Sequence, residues 1–447
     1  MSIEIFTIGG FDEVGKNMSA VKIDNDIIIL DMGLYIPRLL DIEEENNARE
    51  YLTRERMIKI GAVPDDSILD RYKQNVKAII LGHCHLDHTG AAAYLAPRYN
   101  CPIYGSPFTI QVLSNMLKDD NMKLPNELKV INAGSEFKIN KDIKVEFINI
   151  THSTLQTVVV AIHTKYGIIV YANDFKLDNY PVVGKKPDYE RLRKLGQSKR
   201  VIALIVDALY AGEEKKTPSE KVAREMLKDV LLGTNNHNHS IIVTTFASHI
   251  ARLKSIVDLG IMLNRKVVFM GRSLNKYVSA AEKLNLINFT KRVKIFTYRN
   301  QIKKALKIIE KNRSKYLIVC TGNQGEPNST LVRIANNEYP FKFIPEDLVI
   351  FSSKTIPVRE NIENRAKLEA NLKSKKVRIF KEIHVSGHAA KEDLRDFIDM
   401  IKPKHIIPAQ GTLEILNNLA ILAEEMGYKK GETVHIMHDF SSLPLNS

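Results

Sequence analysis

The segment His83-Cys84-His85-Leu86-Asp87-His88 puts three imidazoles and a carboxylate within six residues. Neutral imidazole nitrogens and carboxylate oxygens suit Zn²⁺ or a similar borderline cation, and packing alone explains so dense a cluster poorly. The segment follows an apolar β-branched run at 76–81 after a single Gly82. A strand ending in such a loop holds the ligands on a rigid edge. Two later runs repeat this pattern: 145–150 ends in Thr151-His152-Ser153, and 168–172 ends in Asn173-Asp174-Phe175. On residue types alone the plain readings stay open: a polar loop of unrelated histidines, a hydrogen-bonded structural His, an Asp that caps a turn.

The elements that must position these residues follow from the apolar periodicity. Over the first 200 residues, short β-branched runs at 3–8, 19–23, 27–30, 76–81, 145–150, 157–163 and 168–172 predict strands, with helical patches at 90–98 and 108–117. From residue 219 longer helices alternate with parallel-type strands: helices at 219–232, 249–264, 274–284 and 302–311, strands at 240–244, 266–270 and 316–321. Strands return at 377–385 and 405–408. The order predicts α/β layers interrupted by an inserted α/β unit. Residues 38–75, looser and charged, are expected to form a helical excursion from the first layer.

With 447 residues and 44% hydrophobic content the chain can bury a large core. No run reaches the length of a membrane span, and the N-terminus reads as a strand and not a leader, so a cytoplasmic protein without membrane association is expected. Three scattered cysteines agree with a reducing compartment. The net charge of +13 favours a polyanionic partner, with basic stretches at 185–200, 303–313 and 373–381 and an acidic one at 41–50.

The order HxHxDH at 83–88, followed by His152 and Asp174, resembles the metallo-β-lactamase superfamily. That resemblance implies that His83, His85 and His152 hold one zinc, while Asp87 and His88 hold a second with Asp174 bridging. Mn²⁺ is an admissible substitute. A pair of cations about 3.5 to 4 Å apart lowers the pKa of a shared water and stabilises both oxygens of a phosphodiester displacement. Asp207 after the run at 201–206, and Ser386-Gly387-His388, are similar to the acidic and histidine motifs of the β-CASP nucleases. Phe246-Ala247-Ser248, Gly271-Arg272-Ser273-Leu274, the 321–327 segment and 173–176 resemble the ribonuclease J family in particular, over nearly the whole chain.

The fold implied is α/β, a metallo-β-lactamase αββα sandwich with an inserted β-CASP α/β domain. Its domains are 1–206, 207–375 for the insert, and 376–447. The activity implied is zinc-dependent 5′ to 3′ hydrolysis of single-stranded RNA in a cleft between the two domains, preferring 5′-monophosphate ends, with endonucleolytic cutting in some members. Asp87, Asp207 and His388 would serve catalysis, Asp207 orienting His388. Ser248, Gly322, Asn323, Gln324, Gly325, Ser386 and His388 would contact RNA phosphates. A homodimer is expected from the same likeness.

One position departs from the pattern. The strand at 405–408 leads into Ala409-Gln410-Gly411, where relatives carry a His that completes the second zinc. A neutral amide is a poorer ligand than imidazole, which predicts a weakened second site. It also raises the alternative of a weakly active or inactive RNA-binding scaffold. A scaffold would be expected to lose several site residues, whereas here the other ligand types remain.

Overall fold

The computed structural model describes residues 3–38, 52–356 and 358–445; the acidic stretch at 41–50 lies outside them. The described strands in chain order are β1 (Ile3–Gly9), β2 (Met18–Ile23), β3 (Asp26–Leu30), β4 (Val76–Leu81), β5 (Ile103–Gly105), β6 (Leu128–Val130), β7 (Glu136–Lys138), β8 (Lys144–Asn149), β9 (Val158–His163), β10 (Ile168–Ala172), β11 (Val201–Asp207), β12 (Ile241–Thr244), β13 (Lys266–Met270), β14 (Lys294–Phe296), β15 (Tyr316–Cys320), β16 (Leu348–Phe351), β17 (Arg378–Phe380), β18 (His405–Ala409) and β19 (Ser441–Leu445). They divide between two compact units. The first comprises Met1–Asn179, Lys185–Thr217 and Gly387–Ser447, and the second Tyr180–Gly184 and Pro218–Ser386.

The first unit holds two sheets, ordered β19-β1-β2-β3-β4-β5-β6 and β18-β11-β10-β9-β8-β7. Successive side chains of a strand point to opposite faces, and β3 uses both. Ile28 and Leu30 enter a core shared with Val145, Phe147 and Val160 of the second sheet. Ile27 and Ile29 pack on the other face with Leu69, Leu95 and Ile110 from the outer helical segments. Burial on both faces is why such strands read as continuous apolar runs.

The helices Tyr189–Gln197, Lys391–Ile401 and Leu413–Glu425 add Leu192, Phe397, Ile401 and Leu419 to the core of the second sheet. Each such side chain, fully buried, contributes roughly 1.5–3 kcal/mol. Helix, sheet, sheet, helix is the αββα sandwich anticipated above. Within the charged 38–75 stretch the described part holds a short α-helix, Arg54–Lys59, and the 3₁₀ segment Asp66–Asn75. No described helix is long and apolar enough to cross a membrane.

The second unit is one sheet of order β14-β13-β15-β12-β16-β17, with every pairing parallel. The strand expected over 377–385 is cut to Arg378–Phe380. Glu382 takes φ 60°, a left-handed conformation that leaves the extended region and ends the ladder. His384 is therefore not in a strand, and Ser386 does not sit directly at a strand end. The helical patch at 90–98 is likewise broken into Ala92–Leu95 and Ala96–Arg98. Pro97 lacks the N–H that a continuous helix would need there.

Arg252, on the helix Ile250–Met262, ties this unit together from a fully buried position. Its guanidinium forks onto Glu220 at 2.6 and 2.8 Å and donates to the Ser352 carbonyl at 2.8 Å and the Ile383 carbonyl at 3.2 Å. Removing one partner of a buried ion pair strands the other charge in a low-dielectric interior. Arg252→Leu is expected to destabilise the second unit by about 3–5 kcal/mol, read as an earlier urea transition of that unit. A transition unchanged from the wild type would show that His249, whose Nε2 lies 3.3 Å from Glu220 Oε2, is counter-charge enough.

Candidate metal centre and active site

Strand ends deliver the candidate residues. Within the first unit, β3 and β4 run parallel and are followed by Asp31 and by Gly82-His83. In the second sheet β10, β11 and β18 are mutually parallel, and β8 shares their direction through antiparallel β9. Asp174, Asp207 and Gln410 therefore issue from neighbouring strands, with Asp207 in register with Ala409. His152 follows β8. Asp31, Asp174 and Gln410 all take φ of 60–65°, an uncommon conformation for non-glycine residues that turns the chain sharply as it leaves the strand.

Three imidazoles converge. His83 Nε2 lies 3.1 Å from His85 Nδ1, which lies 3.2 Å from His152 Nε2. Asp174 Oδ2 is 3.5 Å from the first of these nitrogens and 3.6 Å from the third. Beside them His88 Nε2 is 3.3 Å from Asp174 Oδ1 and 3.4 Å from Asp87 Oδ2. The residues thus form two groups that could each hold a cation, His83, His85, His152, Asp174 and Asp87, His88, Asp174.

Hydrogen bonds on the far side of the His152 and His88 rings decide which nitrogen faces inward. His152 Nδ1 donates to the Gly387 carbonyl at 2.7 Å, leaving the Nε2 lone pair for the cluster. A Cβ on Gly387 would come within 2.9 Å of the His152 ring, so glycine is required there. His88 Nδ1 donates to Asp31 Oδ2 at 2.7 Å, and Asp31 is itself held by the Tyr171 hydroxyl and the Gly82 N–H.

The fit of these residues to zinc rests on the donor set. Tetrahedral ligands at Zn–N distances of 2.0–2.1 Å lie roughly 3.3 Å from one another, close to the spacing of the three nitrogens. Burial first, and then the neighbouring imidazoles, push His83 and His152 well below the usual histidine range, which favours the neutral form that binds a cation. His83 Nδ1 is buried with no hydrogen-bond partner, so no outer acceptor competes with a cation for this ring.

His388 Nδ1 is 2.7 Å from Asp207 Oδ2, and its Nε2 is 3.8 Å from Asp174 Oδ2. Burial alone would lower its pKa, but the Asp174 and Asp207 carboxylates outweigh that and push it up to about 9. His88 is raised in the same way by Asp174, Asp87 and Asp31. Burial raises the Asp174 carboxyl, while the adjacent His88 carries Asp87 downward against its own desolvation.

The remaining candidates lie in the second unit. Ser248 follows β12, and the 322–325 turn follows β15, its parallel neighbour, so both loops lie at the carboxyl end of that sheet's strands. Gln324 is buried, its amide donating to the Lys354 carbonyl at 3.0 Å and accepting from the Ile356 N–H at 2.8 Å. The Asn323 carbonyl accepts from Arg365 at 2.6 Å. Gly322 and Gly325 take φ of 118° and 76°. A Cβ on Gly325 would meet the Asn364 backbone at 2.5 Å. Sequence reasoning overlooked Asp31, Asn17 and Tyr171. Asp31 had a signal, a carboxylate directly after an apolar strand, whereas Asn17 and Tyr171 carry none.

Three family models match in succession: Metallo-beta-lactamase superfamily over residues 17–196, Ribonuclease J beta-CASP domain over 238–367, and Zn-dependent metallo-hydrolase RNA specificity domain over 375–437. Ribonuclease J of Methanocaldococcus jannaschii is 44% identical over 441 residues, covering 98% of each chain. That of Pyrococcus abyssi is 42% identical over 97% of this chain and 95% of its own. Ribonuclease J2 of Bacillus subtilis is 31% identical over 96% of this chain and 73% of its own. A crystal structure of a protein of unknown function from Enterococcus faecalis V583 shares the fold, with a TM-score of 0.66 at 17% identity over the whole of both chains. With strand-end histidines and carboxylates in this order, and relatives matched across nearly its full length, the chain belongs to the ribonuclease J family, in the β-CASP branch of the metallo-β-lactamase superfamily.

Proposed function

We propose that this chain is a zinc-dependent ribonuclease that removes nucleotides from the 5′ end of single-stranded RNA, with preference for a 5′-monophosphate. The observation that carries the reading is the convergence of three imidazole nitrogens, with His388 held beside them by Asp207. His83, His85, His152 and Asp174 would hold one zinc, and Asp87 and His88 a second that Asp174 shares. Zinc there supplies Lewis acidity toward a phosphate oxygen and lowers the pKa of water.

The chain's own groups divide the remaining work. Asp207 fixes His388 through Nδ1, so that Nε2 faces Asp174 and the imidazolium is placed to give its proton to the departing O3′. Water adds to phosphorus as the P–O3′ bond breaks. The released nucleotide ends in a 3′-hydroxyl, and the shortened RNA carries a new 5′-phosphate. Ser248, Ser386 and the 322–325 turn would contact RNA phosphates, since glycine permits close backbone approach to an anion, while the N–H groups of Gln324 and Gly325 already hold the turn through Glu326 and the Gly322 carbonyl. Gln324 would act by shaping its loop, because its amide already serves residues 354 and 356. The charge of +13 suits a polyanionic substrate. A cytoplasmic homodimer belongs to the same proposal.

Zinc-loaded protein incubated with 5′-monophosphorylated and 5′-hydroxyl RNAs of one sequence should release mononucleotides, faster from the phosphorylated RNA. Internal fragments alone would replace the exonuclease with an endonuclease, and binding without products would favour the scaffold. Asp174→Asn should abolish turnover while retaining much of the RNA affinity. Asp207→Asn should lower kcat roughly 10²- to 10⁴-fold with little change in KM, the loss expected when a general acid is no longer oriented. An Asp207→Asn enzyme with wild-type kcat would remove Asp207 from the scheme.

A further inference from the structure

Gln410 is 1% exposed, and both ends of its carboxamide are engaged. Its Oε1 accepts the Gly15 backbone N–H at 3.1 Å. Its Nε2 donates to Asp87 Oδ2 at 3.0 Å and to Asp174 Oδ1 at 3.4 Å. The group turned toward the two carboxylates is therefore an NH₂, which has donors and no lone pair for a cation.

Turning the amide over would set N–H against the Gly15 N–H and oxygen against two carboxylate oxygens. The backbone resists a shift as well. Gln410 has φ 65°, and the N–H groups of Gln410 and Gly411 both reach the Gly10 carbonyl, at 2.8 and 3.2 Å.

A second carboxamide closes the same position. Asn17 Nδ2 lies 3.2 Å from His88 Nε2, the nitrogen that faces Asp87 and Asp174, and 3.1 Å from the Asp87 carbonyl. Asn17 is oriented by Asn173, whose Nδ2 donates to Asn17 Oδ1 at 3.0 Å. Both nearby carboxylates thus meet amide hydrogens, and a second amide stands beside His88 Nε2. The three nitrogens of His83, His85 and His152 instead face one another.

We propose that Gln410, together with Asn17, acts as a neutral substitute for the second cation, so that the centre is asymmetric. One zinc binds tightly at His83, His85, His152 and Asp174. The Asp87, His88, Asp174 position takes a second only weakly, in competition with the amide hydrogen bonds. This rests on the zinc reading given above and deepens it.

The test is a count of bound metal, independent of RNA cleavage. Metal-stripped protein is titrated with zinc chloride in a calorimeter, and zinc retained after gel filtration is measured by mass spectrometry. The expected result is about one tightly held zinc per chain and a second site roughly 10- to 100-fold weaker, the range seen when groups around a metal site are altered. Gln410→His and Gln410→Glu each return a ligand with a lone pair or negative charge, and each should bring the second affinity to within about tenfold of the first. Using both variants guards against one that fails to fold. Two sites of equal affinity in the wild type overturn this inference alone, as does a wild-type-like second affinity in every folded variant. No bound zinc in the wild type overturns the cation reading with it.

Discussion

The convergence of three imidazole nitrogens is the constraint on which the rest of the structure turns. His83 Nε2, His85 Nδ1 and His152 Nε2 stand 3.1 and 3.2 Å apart in turn, close to the spacing of nitrogen ligands around one small cation. The surrounding fold keeps the rings from relaxing apart, through the Gly387 carbonyl behind His152 and the Asp31 carboxylate behind His88.

That rigidity comes from the sandwich. A one-residue slip of a strand buried on both faces would exchange the side chains of two close-packed cores, so the residue after each strand has a fixed position. Asp31, Asp174 and Gln410 use this by adopting left-handed backbone conformations at strand ends, each a local cost offset by the apolar core behind it. The same logic explains the two glycines that matter most to the centre's shape. Gly387 leaves room for the His152 ring, and at Gly33 an added Cβ would strike the Asp87 carbonyl at 1.8 Å.

Much of this was legible in the residues. Strands β4, β10 and β13 fall where the apolar runs begin and end, because burial on both faces leaves a sharp boundary with polar loop chemistry. The histidine cluster announced itself by density, and the family likeness ordered His152 and Asp174 into it. What stayed hidden was set by contacts distant in sequence. Edge strands such as β6, β7 and β14 span three residues each and carry no periodicity, and the 377–385 run looked like one strand although the left-handed Glu382 ends it. Asp31 stood at a strand end like the other candidates, but the partner that gives it a role, His88, lies 57 residues away. Tyr171 was hidden because an apolar strand accommodates tyrosine without any sign that its hydroxyl meets Asp31 at 2.6 Å.

Gln410 illustrates the difference between a missing ligand and a replaced one. From sequence the position reads as a loss, an imidazole exchanged for something weaker. In three dimensions the amide is bound at both ends, and its hydrogens do for Asp87 and Asp174 part of what a cation would do. A vacancy would leave Asp87 and Asp174 with His88 alone between them, and poorly compensated charge is costly at a buried carboxylate such as Asp174. A glutamine anchored by Gly15 relieves that cost without any metal, so the centre can keep its carboxylates, and with them the Asp174 ligand of the first group, whatever the supply of a second ion. The substitution is thus compatible with an intact first site, and the departure from the family pattern argues for altered metal dependence more than for lost catalysis.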